Sequence, residues 1–257
     1  MTVGAFPERP VSFSVGTVTL AGILHEPTLD GSLHGVAVGL IPGGLIRRVG
    51  LHRLYVSAAR ALARQGAWAF RFDLPGVGES GGEVRRVTPA RLASLEVSHA
   101  EEVGAALDLL ERETGCETLA VLGHCSGGRS ALACAAGDPR VGGVVAWATP
   151  VGDDRTAAPV GWIEDAVHRL CARATPALWV YGTRDVAWSA FHRIVPKLTT
   201  EGTASIGPPW TIRTIPSANH DFTSRAWTGE AIDTTLEWMA ARSVSWSPRN
   251  GVRWTSA

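Results

Sequence analysis

Residues 118–128 read TLAVLGHCSGG, and the organisation of the whole chain can be worked out from this stretch. Its first five residues form a short apolar run, as expected of a strand buried on both faces. The next five, Gly123-His124-Cys125-Ser126-Gly127, follow the G-x-S-x-G pattern of a tight strand-to-helix turn that exposes a nucleophile, except that the central residue is cysteine. Such a turn strains the backbone of the central residue. Glycines two positions to either side let the neighbouring chain pass without a clash. That register selects Cys125. Ser126 is the alternative, since Gly128 lies two residues after it, but His124 stands where the preceding glycine is needed. An Ala-rich helix is expected to follow over 129–136.

Outward from this turn, strand and helix signals alternate. Residues 11–15 and 17–25 read as an antiparallel opening pair. Residues 35–41 (GVAVGLI) read as a buried strand that ends in Pro42-Gly43-Gly44-Leu45. A helix is expected over 51–65 with Gly66 as its stop, then a strand over 67–72 and a Gly-rich loop from Asp73 to Gly81. A long amphipathic helix covers about 92–114. Strands follow at 141–147, 177–181 and 211–215, with helices near 189–198 and 229–242. Residues 150–175 read as a short, polar, partly helical lid insert. The tail, 243–257, has no clear periodicity. This pattern predicts one α/β domain over 1–257, a mostly parallel sheet flanked by helices on both faces. Sites in such sheets lie beyond the carboxyl ends of the strands. Polar clusters at Cys125, Asp185 and His220 each follow a strand, so they are expected to converge at one edge.

Composition excludes several function classes. Of 257 residues, 45% are apolar and 19% charged, which suits a globular domain and not a disordered chain. Lys+Arg and Asp+Glu both number 24, so there is no basic excess for a nucleic acid or an anionic membrane. No apolar run is long enough to span a bilayer, and residues 1–10 lack the apolar core of a secretion signal. A cytoplasmic location is expected. Cys116, Cys125, Cys134 and Cys171 match no zinc or disulfide spacing. All but Cys125 are expected to be buried, inert core residues. No G-x-G-x-x-G opens a helix, and no metal motif is present, so no cofactor and no metal are expected.

The chemistry is expected to rest on three side chains in the order nucleophile, acid, base. His220, in Asn219-His220-Asp221-Phe222, is the base candidate because it comes last and follows a strand. His168 and His192 fall on helices. Asp185, in Gly182-Thr183-Arg184-Asp185, is the acid candidate, with Asp153 and Asp154 as alternatives after the preceding strand. The helix that starts after Cys125 favours negative charge at its N-terminus, and an imidazole beside the thiol would favour the thiolate. The N–H of Ser126 should face a developing oxyanion, joined by that of Gly44 or Leu45. Asp73 precedes the nucleophile and is expected to satisfy its Gly-rich turn. His124 is a candidate wall or packing residue. Trp162 and Trp188 either line a modest apolar substrate pocket or pack in the core.

Pro42-Gly43-Gly44, residues 48–53 (RVGLHR), residues 70–80 (FRFDLPGVGES), the Cys125 turn, residues 182–185 and residues 219–222 carry a family resemblance. The chain resembles α/β-hydrolases of the serine aminopeptidase and acylesterase type, and most closely the exosortase-system-associated branch, whose members tend to carry cysteine at the nucleophile position. The resemblance implies the α/β-hydrolase fold and a Cys-His-Asp triad acting on esters, thioesters or amides, by hydrolysis or by acyl transfer. A small secondary metabolite or an acyl-carrier-bound substrate fits better than a triglyceride or a peptide. Two alternatives stay open. One is a lyase that expels an acyloxy group such as acetate, as related proteins do in tetronate polyketide assembly. The other is a non-catalytic scaffold. The resemblance says nothing about oligomeric state.

Overall fold

The computed structural model describes residues 7–28, 30–85, 99–153, 158–159, 161–200 and 210–243. Along its central strands, successive apolar side chains point to opposite faces and divide the interior into two cores. In β5 (Thr118–His124), Leu119 and Val121 join one core, while Ala120 and Leu122 join the other. In β9 (Ala177–Gly182), Trp179 and Tyr181 face one side and Leu178 and Val180 the other. Strands buried on both faces need helices on both faces, and the chain supplies them. α1 (Leu54–Arg64) and α6 (Arg225–Ser243) cover one face. α2 (Ala100–Thr114), α3 (Ser126–Gly137), α4 (Gly161–Ala172) and α5 (Val186–Thr200) cover the other.

The remaining strands of the sheet are β1 (Glu8–Val15), β2 (Val18–His25), β3 (Val36–Ile41), β4 (Trp68–Phe72), β6 (Val141–Trp147) and β10 (Trp210–Ile215). β7 (Gly152–Asp153) and β8 (Ala158–Pro159) form a separate short antiparallel pair. The eight-stranded sheet has the order β1-β2-β4-β3-β5-β6-β9-β10. β1 and β2 are antiparallel, and all pairs from β4 to β10 are parallel. From β3 the chain first crosses to β4 on one side, then returns to β5 on the other. The loops after β3 and β5 therefore leave the sheet side by side, with Ile41 in register with Gly123. A reversal of strand order of this kind opens a crevice at the carboxyl edge.

The α/β-hydrolase fold expected from the sequence is the fold found. Its boundaries differ in places that have physical reasons. α3 starts at Ser126, three residues before the expected helix, because the tight turn itself supplies the first helical residues. The stretch expected as a lid divides in two. Its second half is α4, whose Ile163, Val167 and Leu170 are buried in the core beside α3, so this part belongs to the helical layer. The first part of the expected helix over 92–114 and the tail after residue 243 lie outside the described residues.

One buried hydroxyl ties the two loop-bearing strands together. Tyr55 Oη donates to Ile41 O at 2.6 Å and accepts from His124 N at 3.0 Å. Tyr55→Phe leaves that carbonyl and that N–H buried without partners, which should cost about 1–3 kcal/mol. Chemical denaturation should show this loss with an unchanged slope.

Candidate active site

Cys125 occupies the turn between β5 and α3 with φ 55° and ψ −125°, a conformation that side-chain-bearing residues rarely adopt. Its N–H donates to Trp147 O at 2.9 Å, and its carbonyl accepts from Gly128 N at 3.1 Å. The flanking glycines are required by close approach. A Cβ on Gly123 would lie 2.3 Å from the Gly127 backbone, and one on Gly127 would lie 2.2 Å from Ile41 O. Strain gathers at this edge of the sheet. Ala148, Ser217 and Phe222, on the loops after β6 and β10, also have positive φ.

Asp185 and His220 arrive on loops held to each other. Arg184 N donates to Ala218 O at 3.0 Å, and Ser217 N donates to Thr183 Oγ1 at 2.8 Å. Asp185 is buried and accepts at Oδ1 from Ala187 N at 2.9 Å and from His220 Nδ1 at 3.0 Å. Burial works against a charged His220. Hydrogen bonds to Asp185 and then to Cys125 outweigh it, and the pKa is pushed up to about 10. The imidazolium therefore persists through neutral pH. Its contribution to stability is fully present below the ordinary imidazole value and is lost as pH rises through about 10.

The structure thus pairs His220 with Asp185 and sets that pair close enough to the Cys125 turn for the thiol to act on the imidazole. Among the alternatives, Ser126 makes a different contact, since its Oγ accepts from Gly44 N at 2.6 Å. Leu45 is exposed to solvent, whereas Gly44 reaches the turn. Asp154 and the side chain of Asp153 lie outside the described residues. The other three cysteines are buried, and burial pushes their thiols up, that of Cys134 to about 12.

Of the three candidates for substrate binding, His124 is 3% exposed and its Nε2 lies 2.8 Å from His220 O, so it braces the loop that carries the imidazole. Trp188 stacks on Phe191 and packs against Tyr181, while Trp162 packs half-buried on the same core. For both, packing accounts for the position. His124, His220 and Asp221 each offer a donor atom within 4.8 Å of the others, a spacing a metal could use. His124 Nε2 and His220 Nδ1 are instead engaged by His220 O and Asp185.

Asp73 does more than satisfy its own turn. It accepts from the Arg48 backbone N–H and pairs with the Arg48 guanidinium, and it also accepts from Glu79 N at 3.3 Å. Arg48 lies on the loop after β3, so this buried pair fastens that loop to the Gly-rich turn. Arg48, Tyr55 and Arg129 escape the sequence reading. Arg129 does carry a signal, as the only charged residue in the otherwise small and apolar α3.

The family described as serine aminopeptidase, S33 matches residues 47–214, well over half of the chain, and the chain belongs to it. It is thereby a hydrolase of the α/β-hydrolase fold. No curated protein sequence matches the chain. Among solved structures it is similar to an esterase of Pyrococcus furiosus, at 15% identity and TM-score 0.69, over 92% of this chain and 91% of that one. It is also similar to Est1E of Butyrivibrio proteoclasticus, solved with ferulic acid bound, at 16% identity and TM-score 0.68, over 91% and 99%. A third is a dienelactone hydrolase of Anabaena variabilis, at 20% identity and TM-score 0.65, over 92% and 98%. At these identities the likeness establishes the fold. No helix among the described residues is long and apolar enough to cross a membrane.

Two outcomes follow. Iodoacetamide at neutral pH should modify Cys125 well before the three buried thiols, as read by peptide mass mapping. Asp185→Asn should move the His220 titration, followed by NMR, down from about 10, because it removes the hydrogen bond that contributes most to the rise.

Proposed function

We propose that the protein is an acyl-ester or thioester hydrolase or acyltransferase, with Cys125 as nucleophile, His220 as base and Asp185 as the group that orients it. The observation that carries this reading is the hydrogen bond from His220 to the buried Asp185 carboxylate beside the strained turn of Cys125. The Cys125 sulfur adds to the acyl carbonyl, and the carbonyl electron pair moves onto oxygen. That oxyanion lies between the N–H of Ser126, at the start of α3, and the N–H of Gly44. Ser126 Oγ now takes the acceptor's place at Gly44, and the bound substrate oxygen replaces it. Collapse breaks the bond to the alcohol or thiol, which leaves with the proton from His220. Water, or a second nucleophile that loses its proton to His220, then attacks the thioester and regenerates Cys125.

The S33 family match supports hydrolysis in general. An esterase and a dienelactone hydrolase among the structural neighbours fit an ester substrate. A cysteine favours a thioester intermediate, which is itself a good acyl donor, so transfer to a small molecule or from an acyl carrier belongs to the same reading. The resemblance to the exosortase-associated branch is consistent with cysteine here, and a role in secondary metabolism fits the substrate class.

Chromogenic esters and thioesters test the reaction. Wild-type protein should give a burst of one leaving group per chain and a mass adduct on Cys125, both lost in Cys125→Ala. Ser126→Ala should retain the adduct, because it keeps the backbone N–H. Asp185→Asn should lower kcat on the order of 10²–10⁴-fold. Full turnover by Cys125→Ala would rule the mechanism out. Release of an acid without solvent oxygen would show elimination instead.

A further inference from the structure

Arg129 lies one helical turn after Cys125 on α3, about 6 Å further along the axis. Its side chain is only 6% exposed. Its Nε is buried without a hydrogen-bond partner, and no carboxylate pairs with it among the described residues. The buried Arg71 and the half-buried Arg48 differ. Arg71 donates to His25 and faces Glu8, and Arg48 is held by Asp73 and Glu79. A guanidinium withdrawn from water and left unpaired is costly, and proteins seldom keep one unless an anion joins it.

The direction in which Arg129 points follows from helix geometry. Side chains on an α-helix lean toward its N-terminus, so those at i and i+4 share a face. The Arg129 side chain is therefore expected to lean toward the end of α3 that carries the Cys125 turn. Burial pushes its pKa down, and the one charge that acts against this is Cys125. Among the described residues, Cys125 is the one group whose negative form would sit within reach of this guanidinium. Once Cys125 is acylated that charge is gone, and the guanidinium is again alone unless the acyl group brings an anion of its own.

We propose that Arg129 binds a carboxylate carried by the acyl group, so that the preferred substrates are monoesters or monothioesters of short dicarboxylic acids. The planar fork of a guanidinium matches a carboxylate in two parallel hydrogen bonds. The N-terminus of α3 adds to the local preference for negative charge. This rests on Cys125 as the reactive thiol, and it adds a substrate class to the function proposed above.

Alkylation of Cys125 tests the anion site separately from ester turnover. Iodoacetate carries a carboxylate and iodoacetamide does not, and neither forms an oxyanion. The ratio of their rates at Cys125 should exceed that for glutathione by about tenfold, the scale of one charge-assisted hydrogen-bonded contact. Arg129→Met should bring it back toward the glutathione ratio. Arg129→Lys, which keeps the charge and loses the fork, should fall between and serves if the methionine variant does not fold. In parallel, kcat/KM for mono-p-nitrophenyl glutarate over p-nitrophenyl butyrate should favour the glutarate in the wild type and drop in Arg129→Met, chiefly through KM.

A wild-type alkylation ratio no higher than that of glutathione overturns the proposal. So does a high ratio that survives Arg129→Met or Arg129→Lys, or a variant that slows both reagents equally, since that would make Arg129 only a partner of the thiolate. If no ester is turned over and the alkylation ratio still behaves as expected, the acyl chemistry fails while the anion site stands.

Discussion

The rest of the site depends on the backbone of Cys125 being held at positive φ. A residue with a side chain in that region costs of order 1–3 kcal/mol and persists only when its surroundings over-determine it. Here they do. The Cys125 N–H is anchored on β6 through Trp147 O. The chain before and after the turn approaches itself and the end of β3 so closely that only glycine fits at 123 and 127. The turn lifts the thiol above the sheet and starts α3 directly beneath it, so the first free N–H groups of a helix lie beside the sulfur.

Around that turn the loops are fixed in pairs. Tyr55 joins the ends of β3 and β5 through one buried hydroxyl. The Asp73–Arg48 pair fastens the loop after β3, and with it Gly44, to the Gly-rich turn after β4. The loops bearing Asp185 and His220 exchange backbone bonds, and His124 braces the His220 carbonyl from the strand that ends at Cys125. Each contact ties together segments that belong to different strands of the sheet. The geometry of the thiol, imidazole and carboxylate is thus set by the sheet, and the helices hold the sheet by packing on its two faces.

Two titratable histidines are set in opposite directions. Glu8, His25, Arg60 and Arg71 form a connected cluster at the β1–β2–β4 end, in which burial and the neighbouring Arg71 push the His25 pKa down to about 4. Between about 4 and about 10 that imidazole is neutral while His220 is charged. The first is set by burial beside a cation and the other by hydrogen bonds to a carboxylate and a thiol. Arg129 belongs to neither arrangement, since it is buried at the site without an anion.

The sequence by itself determined what depends on local periodicity and register. Alternating strand and helix signals gave the parallel sheet. The glycines at 123 and 127 singled out Cys125, and chain order pointed to Asp185 and His220. The strained turn itself was legible because it leaves its steric demands in adjacent residues. Tertiary structure alone decided whatever depends on strand order. For His124, Trp162 and Trp188 the sequence left wall and packing roles open, and the contacts each makes are known only from the fold. Gly44 was separated from Leu45 only when the loop after β3 met Ser126 on the neighbouring strand's turn. Arg129 stood in plain view in an uncharged helix, yet its meaning lies in the lack of a partner, and a sequence does not record which side chains meet in space.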